Sequence, residues 1–128
     1  MAKILVADDE QDLRIIVKDF LESVGYQVVL ATNGQEALEL AAQEKPDLII
    51  LDMSMPIMNG WDVARRLRAD PLLNSVIIVA FTAHALRGDK QKTIDAGCDS
   101  YISKPFIPDQ LLEHIGELLA KRAPRRAA

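Results

Sequence analysis

A chain of 128 residues, 49% hydrophobic and 27% charged, has room for one domain with a substantial core and none for a second. Its net charge of −4 offers no general attraction to nucleic acid or to an acidic membrane, and its apolar runs fall far short of the roughly 20 residues of a membrane span. Cys98 is the only cysteine, which excludes an intramolecular disulfide and a cysteine-based zinc site, and the N-terminus lacks the apolar core of a signal peptide, so the expected location is cytoplasmic.

The first apolar run, Lys3-Ile4-Leu5-Val6-Ala7, ends in Asp8-Asp9-Glu10. Such a run reads as a strand buried on both faces, as in a parallel sheet, and the charges at its end lie at the sheet rim. Leu13, Ile16, Val17, Phe20, Leu21 and Val24 follow at spacings of three and four, one face of a helix that Gly25 stops. Gln27-Val28-Val29-Leu30-Ala31 is a second strand, Asn33-Gly34 a break, and Gln35 to Glu44 a second helix, with Pro46 at the next boundary. Asp47-Leu48-Ile49-Ile50-Leu51 is a third strand and runs into Asp52. The loop Met53 to Gly60 leads to a short helix carrying Val63, Ala64 and Leu67, ended by Asp70-Pro71.

Val76 to Phe81 is the most strand-like run, and Thr82 follows it. From His84 to Ala96 the alternation calls for a helix, yet only Leu86, Ile94 and small alanines are there to bury, with Gly88 inside, so this helix should be the least firmly docked. Ser100-Tyr101-Ile102-Ser103 is the fifth strand, closed by Lys104-Pro105. The last helix starts near Pro108, buries Leu111, Leu112, Ile115, Leu118 and Leu119, and ends near Arg122. That makes residues 1–122 the domain and 123–128 a short basic tail with a frayed, solvated end.

Five strands alternating with five helices argue a doubly wound α/β fold, a parallel sheet with helices on both faces. In such sheets ligands bind outside the C-terminal ends of the strands. Asp8 and Asp9, Asp52, Thr82 and Lys104 all fall at that edge. Carboxylates held ~4 Å apart repel by about 4 kcal/mol per pair at an effective dielectric near 20, so three converging acids need a compensating cation or a shared proton. With no His or Cys near them in sequence, the cation would be Mg²⁺, Mn²⁺ or Ca²⁺ rather than zinc. Any one of these acids taken alone reads more readily as a helix cap.

Four motifs in order, each at a strand end, resemble the receiver domain of two-component response regulators over the whole chain. They are Asp8-Asp9, Asp52-Met53-Ser54-Met55-Pro56 with Asn59-Gly60 behind it, Thr82-Ala83, and Lys104-Pro105. The resemblance implies the flavodoxin-like (βα)5 fold with sheet order 2-1-3-4-5. It implies that Asp52 is the phosphoacceptor for a histidine kinase or histidine phosphotransfer protein. Asp9, Asp52 and the backbone carbonyl of Ser54 would ligate Mg²⁺, with Mn²⁺ as a substitute, and Asp8 would hold metal-bound water. Lys104 would pair with the phosphoryl oxygens, and Thr82 would donate its hydroxyl to one of them. Thr82 and Tyr101 would form the switch, and Lys104-Pro105 would be a cis bond.

The resemblance further implies a signalling protein that catalyses only its own phosphorylation and dephosphorylation. The helix from His84 to Ala96, strand five and the last helix would bind a downstream protein, with neither direct nucleic-acid binding nor a membrane role. Phosphorylation-dependent homodimerisation stays open, as do the cognate kinase and the pathway among cell-cycle, phosphorelay and chemotaxis types. Ser54 and His84 resemble positions that tune phosphate lifetime, and Glu10 reads as a first-turn residue of helix one. A flavodoxin-type cofactor binder would need Ser, Thr and Gly amides where Asp8-Asp9-Glu10 stand, and a haloacid-dehalogenase-type phosphatase would need an acid at Ser54.

Overall fold

Strands and helices alternate along the chain as the apolar runs require. In the computed structural model, which describes residues 2–82 and 89–127, they are β1 (Lys3–Ala7), α1 (Gln11–Ser23), β2 (Gln27–Ala31), α2 (Gly34–Glu44), β3 (Leu48–Asp52), α3 (Gly60–Ala69), β4 (Ile77–Thr82), α4 (Asp89–Asp95), β5 (Ser100–Ser103) and α5 (Pro108–Ala127). All neighbouring strands pair in parallel, in the order β2-β1-β3-β4-β5.

Successive side chains of a strand point to opposite faces, so each central strand feeds two cores. Ile4, Val6, Leu48, Ile50, Ile77, Val79 and Phe81 pack with Val17 and Leu21 of α1 and Leu111 and Ile115 of α5. Leu5, Ala7, Ile49, Leu51, Ile78 and Ala80 pack with Ala37 and Ala41 of α2, Val63, Ala64 and Leu67 of α3, and Ala96 beyond α4. Burial on both faces explains why β1, β3 and β4 read as continuous apolar runs rather than alternating ones. Cys98 is buried in the second core, where burial pushes its thiol up to about 12 and leaves it inert.

Several elements differ from the sequence expectation. On α1 the buried residues are Val17 and Leu21, while Ile16 and Val24 are 55% and 48% exposed, because the helix meets the sheet along a stripe narrower than its apolar face. Ile94 of α4 is likewise exposed, and Thr93 is buried in its place. The expected start of that helix, with Ala83, His84, Leu86 and Gly88, lies outside the described residues. β4 runs through Thr82, so Thr82 closes a strand. The backbone of α5 continues helical to Ala127, past the expected end at Arg122. No helix among the described residues is long and apolar enough to cross a membrane.

Gly60 seats α3 directly against β3. A Cβ there would lie 2.6 Å from the Asp52 carbonyl oxygen and 2.8 Å from the Met53 Cα, both backbone atoms that cannot swing aside. Gly116 in α5 has nothing within 4 Å of its Cβ position. Gly60→Ala should therefore lose about 1–3 kcal/mol in urea unfolding, while Gly116→Ala should gain about 1 kcal/mol from helix propensity. Equal responses of the two variants would contradict this packing.

Candidate functional site at the C-terminal sheet edge

Register brings the acids together. Ala7 pairs with Leu51, Leu51 with Ala80, and Ala80 with Tyr101, so Asp8 and Asp52 are the next residues out on adjacent strands. One carboxylate oxygen from each of Asp8, Asp9 and Asp52 lies within 4.8 Å of the others. Asp8 and Asp52 are buried and Asp9 is exposed. The two strand ends turn in the same way. Asp8 Oδ1 accepts from the Glu10 amide at 2.9 Å, and Asp52 Oδ1 from the Ser54 amide at 3.1 Å, each side chain anchoring the chain two residues on.

Lys104 enters from the far side. Its amide donates to the Thr82 carbonyl oxygen at 2.8 Å, which extends the β4–β5 ladder by one rung and aims the side chain back across β4. Its ammonium lies 2.9 Å from Asp8 Oδ2, 3.5 Å from Asp52 Oδ1 and 3.9 Å from Glu10 Oε1, and 5.1 Å from the centre of the Phe81 ring. Burial pulls the Lys104 pKa down, but the Asp8 hydrogen bond and the Asp52, Asp8 and Glu10 charges outweigh it, and the value is raised. It is a permanent cation.

A single lysine does not neutralise this cluster. Burial pushes the Asp52 carboxyl up to about 6, with Asp8 and Asp9 adding to the rise while the Ser54 amide and Lys104 oppose it. The donor set consists of carboxylate oxygens, as a hard divalent cation prefers, so the residues fit Mg²⁺ or a similar ion.

Thr82 and Tyr101 share the edge. Thr82 is buried and aligned with Ser103, and half-buried Tyr101 packs against the α2–α4 side of the sheet. The Lys104-Pro105 bond is cis. The β3–α3 loop is held at its exit by Asn59, whose side chain caps α3 through the Asp62 amide. Within it Ile57 takes φ 71° in a tight turn closed by Met58 N donating to Pro56 O, a conformation that costs a β-branched residue energy. His84 lies outside the described residues.

Two features of the site escaped the sequence reading. Glu10 precedes α1 rather than lying in its first turn, and its carboxylate is the outermost of the acids around Lys104. A largely apolar surface beside the site joins exposed Ile16 with Phe20, Phe106 and Pro108. A signal for Glu10 existed, since Glu is a poor N-cap. None existed for the surface, because Ile16 fits the helical period.

The raised Asp52 pKa has a consequence for stability. Between its ordinary 3.8 and about 6 the folded protein binds more protons than the unfolded chain. Without metal, this group's contribution to stability therefore falls as pH rises through that window and is flat above it. Asp52→Asn should gain unfolding midpoint over the wild type as pH rises from ~4 to ~6.5 in chelator, and added Mg²⁺ should reverse the ranking at neutral pH. A midpoint difference independent of pH would contradict the assignment.

The geometry has close counterparts among known proteins. The family model described as response regulator receiver domain matches residues 4–116. The polar-differentiation response regulator DivK of Brucella anthropi is 36% identical over 115 residues, covering 90% of this chain and 93% of that protein. A CheY-like response regulator receiver domain protein from Methanospirillum hungatei superposes with a TM-score of 0.91 at 29% identity, covering 98% of each chain. The receiver domain of the sensor histidine kinase PA1611 from Pseudomonas aeruginosa, solved with a magnesium ion coordinated in its active-site cleft, superposes with a TM-score of 0.87 at 30% identity over 93% of this chain and 98% of that one. With the acids, the lysine and the sheet order all in place, this chain belongs to the response regulator receiver domain family.

Proposed function

We propose that the chain receives a phosphoryl group on Asp52 from a histidine kinase or histidine phosphotransfer protein and passes the signal on by protein contact. The observation that carries this reading is Asp52 itself, a buried carboxylate within reach of two further acids and 3.5 Å from a lysine at the mouth of the sheet. An Asp52 oxygen attacks phosphorus, the bond from phosphorus to the donor nitrogen breaks, and an acyl phosphate remains. Lys104, already a cation, pairs with the phosphoryl oxygens, which draws it from Asp8. Thr82 donates its hydroxyl to one of those oxygens, and Tyr101 on the neighbouring strand responds to that move.

Asp9, Asp52 and the Ser54 carbonyl would hold Mg²⁺, or Mn²⁺ in its place, with Asp8 engaging its water. When bound, the cation supplies positive charge for the phosphoryl oxygens. With Ser54 where a haloacid-dehalogenase-type phosphatase carries its second acid, the chain acts on its own acyl phosphate rather than on a series of free phosphomonoesters. The apolar surface of Ile16, Phe20 and Phe106 beside the site supports a protein rather than a free metabolite as the physiological donor. Downstream, α4, β5 and α5 form the face that binds the target, and phosphorylation-dependent self-association would use the same face. On this reading the protein works in the cytoplasm, residues 1–122 suffice as the signalling domain, and the basic residues 123–128 serve no part of the chemistry.

Incubation with a small phosphodonor should add one phosphoryl mass to the wild type with Mg²⁺ present and nothing in chelator. Asp52→Asn should take up none, and Lys104→Ala should label at least tenfold more slowly. Thr82→Ala should label but lose the change in amide exchange of β5 and α4 that labelling produces. Label on Asp52→Asn, or label that ignores metal, would overturn the reading.

A further inference from the structure

Glu10 occupies the N-cap position of α1, yet its side chain makes no capping hydrogen bond. The local structure thus leaves this carboxylate free of the role its position offers. It lies instead at the lip of the site, 66% exposed and 3.9 Å from Lys104, while Asp8 and Asp52 lie beneath that lysine at 1% and 4%. Arg14, one turn further along α1, is committed to the Asp8 carbonyl oxygen at 2.7 Å. A cavity of about 430 Å³ opens here, lined by Glu10, Leu13, Phe81, Lys104, Pro105 and Phe106. Its lining is apolar apart from Glu10 and Lys104, so a donor that approaches Lys104 through this opening meets one negative charge on the rim.

We infer that Glu10 is a specificity residue that selects donors bearing the phosphoryl group on nitrogen, as in phosphohistidine, over acyl phosphates. The inference rests on Asp52 being the phosphoacceptor. With Lys104 and Asp52 on the buried side of the phosphoryl group, the leaving group faces outward, toward Glu10. In a phosphoramidate-type donor the nitrogen side is protonated before transfer. The P–N bond breaks, the electron pair stays on nitrogen, and a neutral amine or imidazole departs. The Glu10 carboxylate stabilises that protonated, reactive form. In an acyl phosphate the P–O bond breaks and the electron pair leaves on a carboxylate, so a second negative charge emerges beside Glu10. Asp9 is also exposed, but on the reading above its charge is met by the cation it ligates.

The test compares phosphoramidate, whose nitrogen is protonated at neutral pH, with acetyl phosphate, on the full chain with saturating Mg²⁺. One unit charge at a partly screened lip is worth roughly threefold to tenfold. Glu10→Gln should lower the ratio of phosphoramidate to acetyl phosphate labelling rates by that factor, and Glu10→Asp, which keeps the charge, should retain most of the wild-type ratio. Raising the salt to 1 M should compress the difference between wild type and Glu10→Gln. A change by the same factor for both donors would mean that Glu10 acts only through Lys104 and would overturn the selectivity, as would no change at all. Absence of label on the wild type from either donor would instead sink the phosphoacceptor reading itself.

Discussion

Parallel pairing of β1 with β3 forces Asp8 and Asp52 side by side at the rim of a sheet buried on both faces, and the rest of the site answers that repulsion. Two carboxylates in such a place are tolerable because the strands carrying them cannot move apart. Ile4 to Ala7 and Leu48 to Leu51 are almost completely buried in the two cores, and separating them would expose apolar surface worth far more than the electrostatic relief. The core thus holds charges that would otherwise disperse. Lys104 meets part of the demand and leaves Asp52 only half content, with its pKa held near 6. A site left short of positive charge in this way, with carboxylate oxygens as its donors, suits a hard divalent cation.

The same rim is tied to α4 by polar contacts rather than by apolar burial. Gly60 sets α3 against the Asp52 backbone, and the next residue, Trp61, reaches α4. Its indole N–H donates to the buried Thr93 hydroxyl at 3.3 Å, and Lys92 lies over its ring at 3.9 Å. At the other end, Arg68 of α3 donates to the Gly97 carbonyl oxygen at 2.8 Å and pairs with Asp99 at 2.7 Å, while Asp99 also accepts from the Ile78 amide. The described part of α4 is therefore pinned to α3 through Trp61, and the segment that follows it through Arg68. Contacts of this kind can exchange partners without opening a core, so a shift of α4, as the proposed switch requires, would cost little apolar burial.

Much of this was legible in the sequence because it depends on short-range pattern. The short apolar runs of β1, β3 and β4 specify buried parallel strands, and the spacing of Leu111, Leu112, Ile115, Leu118 and Leu119 specifies the helix that covers one face. The placement of Asp8, Asp9, Asp52, Thr82 and Lys104 at strand ends follows from the same alternation, since a parallel sheet puts every such end on one edge.

What only the tertiary structure decided are the matters of relative position. Ile16 fits its helix's apolar period as well as Val17 does, but the width of the contact between α1 and the sheet leaves Ile16 in solvent beside the site. Glu10 is assigned by its neighbours to a helix start, whereas its 3.9 Å approach to Lys104 depends on β5 pairing beside β4, which brings Lys104 to the same edge. Trp61 and Thr93 are 32 residues apart, and nothing local says they meet. Periodicity along the chain determined which residues are buried and which end of each strand carries charge. Register, crossing and the width of each interface determined which charges meet, because those depend on distances between segments that the sequence holds far apart.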